Sequence, residues 1–164
     1  MKTLNHIGLL STFVGCFALP AAAQCTMTGT VAYWQPTWAG CIPPTTLICS
    51  ANPSLGSVIS LRTVNLPPAT GLVATLLLLP PTPLGTPTTN IFTYPLVTGC
   101  LNYVPNATDF AIAAPLGGTA DVFLAIPNAL AWLDKVLHAQ SVILSFSGSI
   151  DLQTSNGVCM HTGY

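Results

Sequence analysis

The chain has 164 residues, 51% of them apolar and only 4% charged, with three Lys or Arg, four acidic residues and a formal net charge of −1. So few cations exclude the basic footprint that nucleic-acid binding requires. There is no Glu, and the four Asp (109, 121, 134 and 151) are scattered, so the paired carboxylates of a glycosidase are hard to assemble.

The chain opens as a secretory signal. Lys2 supplies positive charge, Ile7 to Leu19 is largely apolar, and Ala21-Ala22-Ala23 offers small residues for cleavage before Gln24. Residues 1–23 are therefore read as a signal peptide, and the remainder as a secreted protein, extracellular or at the cell surface. Gln24 stands before Cys25 where a lipoprotein signal wants a small residue. The remainder is long enough for one domain with its own core. It divides into an aromatic N-terminal segment, 24–39, and a domain over 40–164.

The segment Tyr33-Trp34-Gln35-Pro36-Thr37-Trp38 concentrates three aromatics. Aromatic faces stack on sugar rings, so Tyr33, Trp34 and Trp38 are candidate ligand-binding residues of a carbohydrate-binding module. The competing reading is that Trp34 and Trp38 cap the sandwich core or contact a partner.

Five cysteines follow the signal, and export to an oxidising compartment favours disulfides over metal ligation. No C-x-x-C pair occurs. Cys41, Cys49 and Cys100 are the disulfide candidates, with the pairing left open.

Short β-prone runs recur between Pro and Gly signals: Ser57–Asn65, Leu72–Leu79, Asp109–Ala113, Thr119–Ile126, Val136–Phe146, Ile150–Gln153 and Val158–Thr162, with weaker ones at Thr30–Trp34 and Ile91–Tyr94. This pattern predicts an all-β chain, an antiparallel β-sandwich of about seven to nine short strands. Leu72–Leu79 is apolar at every position but Thr75 and reads as a central strand. Eight residues before Pro80-Pro81 are too few to cross a membrane, so no transmembrane segment is expected after signal cleavage. Pro80 to Thr89 is a loop. Leu116-Gly117-Gly118-Thr119 predicts a hairpin. Ser155-Asn156-Gly157 predicts a tight turn pairing Ile150–Gln153 with Val158–Thr162.

The stretch Leu130 to Ser141 gathers Asp134, Lys135 and His138. Asn128 is a good N-cap and the Leu130/Leu133 spacing is helical, so a short helical turn is expected near 129–134. From Lys135 onward β-branched and alternating residues predict a strand. Asp134 then ends the turn, His138 lies in the strand, and the two share no helix face.

Catalytic motifs are absent: there is no G-x-S-x-G and no H-E-x-x-H. Cys159-Met160-His161 offers copper donors, but strand alternation turns Met160 away from the other two, and the spaced blue-copper order is missing. His138 is read as an ordinary strand residue. Accordingly no cofactor, metal or enzymatic activity is expected. Asn106-Ala107-Thr108 matches a glycosylation sequon.

Several short pieces resemble the small C-terminal domain of secreted planctomycete proteins: Gly40-Cys41, Asn52-Pro53-Ser54-Leu55-Gly56, Gly99-Cys100-Leu101-Asn102-Tyr103-Val104, Leu116-Gly117-Gly118, Ile126-Pro127, Leu137-His138-Ala139-Gln140, Ser155-Asn156-Gly157 and Thr162-Gly163. The resemblance implies a small extracellular β-sandwich, a structural or attachment module with no established activity. Asp134-Lys135 and Cys159 depart from its pattern. The expected function is that of a secreted, non-enzymatic structural or adhesive protein. Its expected partners are cell-envelope or extracellular-matrix components, and the scarcity of charge favours self-association.

Overall fold

The computed structural model describes residues 31–38, 41, 45–91 and 93–164. The expected signal peptide and Cys25 lie outside the described residues. The fold is all-β and sandwich-like, built from antiparallel strands, with ten strands among the described residues and a single 3₁₀ turn.

One sheet has five strands: β1 (Tyr33–Trp38), β10 (Ile150–His161), β9 (Val136–Phe146), β4 (Thr70–Leu78) and β7 (Asp109–Ala113), in that spatial order. The other has β2 (Thr46–Cys49), β3 (Val58–Val64) and β8 (Ala120–Ala125), in the order β2-β3-β8. A two-residue ladder, β5 (Asn90–Ile91) with β6 (Tyr94–Pro95), sits in the long connection after β4. The aromatic segment is thus an edge strand of the larger sheet, paired to β10 with Tyr33 opposite His161 and Trp34 opposite Met160.

Alternation places one side chain in two between the sheets. Leu137 and Ala139 of β9, Leu77 of β4 and Val158 and Met160 of β10 meet Leu47, Cys49, Ile59 and Leu61 of the smaller sheet. Beside them Val73 and Ile143 pack on Leu66 and Ala120. A buried hydroxyl triad crosses this core: Ser141 Oγ lies 2.7 Å from Thr63 Oγ1 on one sheet and 3.1 Å from Thr75 Oγ1 on the other. Each hydroxyl can both donate and accept, so mutual bonding offsets the cost of taking them from water.

Strand β4 is an interior strand, bonded to β9 on one side and β7 on the other. The turn at 116–119 forms as expected, with Gly117 and Gly118 at φ +58° and +79°. The strands it joins belong to different sheets, however, so it links the two layers at their edge. The short helical turn is Leu130–Trp132, capped by Ala129 without a side-chain bond. Asn128 is not its cap; its side chain lies beside Gly56.

The Ser155-Asn156-Gly157 expectation is overturned. Residues 150–161 are one continuous strand, and Ser155 and Asn156 are a β-bulge opposite Ser141. Three bonds explain why the chain runs on instead of reversing. Asn156 is buried, and its amide accepts from Leu47 N (2.6 Å) and donates to Leu47 O (3.1 Å), tying the smaller sheet to the larger. Ser155 Oγ accepts from Ser141 N at 2.9 Å across the bulge. A side chain that serves as a backbone pairing partner for another strand is worth more here than a turn.

Candidate functional site

In a two-layer sandwich the outer face of an antiparallel sheet normally alternates to polar residues. Over one end of the larger sheet the outer face does not. From β4 it carries Leu72, Ala74 and Leu76; from β9, Val142 and Leu144; from β10, Ile150 and Leu152; and from β7, Phe110.

The connection between β4 and β7 covers part of this face. Ile91, Leu96 and the Cys41–Cys100 disulfide pack on Leu76 and Val142. Three further ties hold the cover down. Gln140, buried on β9, accepts from Tyr103 N (2.7 Å) and donates to Leu101 O and Ser155 O (2.9 Å each). Val97 N donates to Leu152 O at 2.9 Å. Cys41 N donates to Thr154 O at 3.0 Å.

What the cover leaves open is an apolar groove of about 420 Å³, rimmed by Ile91 and Tyr94. Among the described residues no acidic, basic or thiol side chain lines it, and Tyr94 supplies the one hydroxyl. On the same sheet the Phe146 ring lies over Gly71, where a Cβ would stand 2.3 Å from the ring. The groove can remove apolar surface from water, at roughly 25 cal/mol per Å². Among the described residues Tyr94 is its one titratable lining group.

The titratable residues gather elsewhere. Asp134, with φ +58°, ends the helical turn and directs its carboxylate to His161, not His138. Oδ1 lies 2.6 Å from His161 Nε2, and His161 Nδ1 lies 3.4 Å from Val31 O. The imidazole is fully buried, whereas Asp134 keeps 61% of its side chain exposed. Tyr33 stacks on the imidazole, 5.0 Å between ring centres and 9° from parallel. Burial, with a smaller contribution from the Asp134 charge, raises the Tyr33 phenol above its ordinary value. Both ring nitrogens of His161 are occupied by the fold. The trio therefore fastens β1 and the C-terminal strand to the turn at Asp134. Asp134 N donates to Thr162 O (3.0 Å), Lys135 N donates to Thr162 Oγ1 (3.0 Å), and Thr162 Oγ1 donates to Trp132 O.

His138 stands opposite Cys159 in the sheet register. Cys159 is disulfide-bonded and so presents no thiolate to a metal. Among the described residues no three His, Cys, Asp or Glu side chains converge as a metal site would require.

Of the three disulfide candidates, Cys41 and Cys100 are bridged. Cys49 is a correction to that set: it is a buried free thiol, facing the inter-sheet core and donating to Ala51 O at 2.9 Å. Its partner on the opposite strand is Leu61.

Of the aromatic trio, Tyr33 stacks on His161, and Trp34 is half-buried against the inter-sheet core. The Trp38 side chain lies outside the described residues. The groove was not anticipated from sequence. Its signal was present in Val142-Ile143-Leu144, where an apolar run leaves no polar face, but such a run is equally consistent with a strand covered on both sides.

No helix among the described residues is long and apolar enough to cross a membrane. No family model, curated protein or solved structure matches this chain.

Proposed function

We propose that this chain is a secreted, non-enzymatic β-sandwich that works as a structural or adhesive protein at the cell surface, with the outer face of the larger sheet as its contact area. The observation that carries this reading is the groove itself, an open depression on a β-sheet lined by apolar side chains where solvated ones are expected. The near-absence of charge elsewhere supports it, since little repulsion opposes close contact with other material. So does the disulfide that fixes the loop over the face, which is the chemistry of an oxidising compartment.

The test is retention on native cell-envelope material, comparing the wild type with Ile150→Lys, a change at an exposed groove residue. The wild type should be retained and the variant should lose most of that retention. Fractionation of the native protein into the cytoplasm, or equal retention of both proteins, would overturn the proposal. Polysaccharide arrays run alongside read the alternative, carbohydrate binding through Tyr33, Trp34 and Trp38. The engagement of Tyr33 and Trp34 in packing weighs against that alternative.

A further inference from the structure

Edge strands expose unpaired backbone groups, and most proteins blunt them. Three of the four edges here are blunted. Strand β1 carries Pro36 and an irregularity between Pro36 and Trp38. Strand β2 is four residues long. Strand β8 carries Asp121, ion-paired to Arg62 at 2.8 Å. Strand β7 differs. It reads Asp-Phe-Ala-Ile-Ala, has no Pro, no Lys and no bulge, and among the described residues is bonded to β4 alone. Its one charge, Asp109, is at its first position, where the carboxylate accepts from Phe110 N at 2.8 Å.

We propose that β7 is a self-association edge and that its partner is β7 of a second copy of this chain, paired antiparallel about a two-fold axis at Ala111. This rests on the reading of the larger sheet as a contact surface and names its partner. The sequence of β7 is self-complementary in that register. Phe110 falls opposite Ile112 of the second copy, and Ile112 opposite Phe110, on the face that carries the groove. The two Asp109 carboxylates fall at opposite ends, four residues apart or about 14 Å at 3.4 Å per residue. That exceeds the screening length of about 8 Å at physiological salt, so they do not oppose the pairing.

Phe110 and Ile112 are each 56% exposed and Leu116, just beyond the strand, is 84% exposed. Taking roughly 200 Å² for a whole large apolar side chain, Phe110 and Ile112 offer about 220 Å² per copy. With the strand edges included, two copies bury less than about 1,000 Å², the size of a weak, transient contact. The two five-stranded sheets become one, and the two grooves lie side by side on a continuous face.

The test is sedimentation velocity from about 1 μM to about 1 mM, the range over which a weak self-association is read. The wild type should shift from monomer to dimer across that range. Phe110→Lys and Ile112→Lys should each weaken the dimer at least about tenfold, because a strand-edge charge opposes pairing. Phe123→Lys, on the outer face of β8 at 73% exposure, should leave it unchanged. Ala111→Cys should cross-link to itself under mild oxidation, since residues on the axis are about 5 Å apart between Cα atoms. Phe123→Cys should not.

A wild type that stays monomeric throughout, or a dimer indifferent to both Lys variants, overturns the inference. An unchanged urea midpoint in each variant shows that the fold is intact. Envelope retention by a protein that never dimerises would leave the adhesive reading standing and remove this one. A dimer that binds no envelope material would do the reverse.

Discussion

Gln140 gives the sharpest test of how the loop is held on the sheet. It is fully buried and makes three hydrogen bonds, to Tyr103 N, Leu101 O and Ser155 O. Gln140→Leu keeps the approximate volume and removes all three. The losses are unequal. Ser155 O lies in the buried bulge and loses its bond to the Gln140 amide, a penalty of about 1–3 kcal/mol. Tyr103 is half-buried, so water replaces part of its lost bond, and about 1 kcal/mol is expected there. Leu101 O keeps its bond from Thr154 Oγ1 at 3.0 Å, so its loss is small. The total is about 2–4 kcal/mol. In urea, with a slope of about 1–3 kcal/mol per M, the midpoint should fall by roughly 1–2 M. Gln140→Glu is the informative companion. Its carboxylate still accepts from Tyr103 N but faces two carbonyl oxygens it cannot donate to. It should be at least as destabilising at neutral pH and should recover on acidification, when the protonated acid can donate one bond. A change below 0.5 kcal/mol for Gln140→Leu, on the order of a neutral surface substitution, would refute the account of the loop as tethered through this side chain.

Cys100→Ser opens a disulfide closing 59 residues, for which chain entropy sets a loss of about 4 kcal/mol. Because it holds the same loop as Gln140, the double variant should lose less than the two single losses together, as a double-mutant cycle in urea would read. Burial holds His138 below the ordinary imidazole value, so the folded protein prefers it neutral. The unfolded chain takes up that proton near pH 6.5. Stability is therefore full above that pH and falls as the pH drops toward the folded value, a dependence that His138→Asn should flatten in urea midpoints measured from pH 8 to pH 5. Burial also raises the Cys49 thiol, so little reactive thiolate forms. Iodoacetamide should label Cys49 only when the protein unfolds, as peptide mass mapping would show; rapid labelling of the native protein would contradict its burial.

The regular strands were legible in the sequence because they obey local rules. Asp109–Ala113 and Val136–Phe146 were anticipated with the boundaries the fold has. The Gly117-Gly118 turn was legible because both positions need positive φ, which glycine supplies at little cost. Ser155-Asn156-Gly157 carries the same kind of local signal and was misread. Its side chains bond to Leu47 and Ser141, 109 and 14 residues away, and no local rule weighs such partners. Asp134 was expected at the end of a turn and is there. Its bond to His161 was not legible, because the β9–β10 register brings together residues 27 apart.

By itself the sequence determined that this chain is all-β, nearly uncharged and rich in turns, since composition and period-2 patterning are local properties that every compact arrangement must respect. Tertiary structure decided the rest. It alone chose which cysteines meet, turned an apparent hairpin into a bulge, and joined Asp134 to His161. It also decided which face of an apolar strand is covered. Val142 and Leu144 read alike as core residues, and the path of the loop after β4 covers Val142 and leaves Leu144 part-exposed beside the groove. The physical reason is that burial depends on what arrives from elsewhere in the chain, and a sequence pattern records a residue's fitness for burial rather than the presence of a partner.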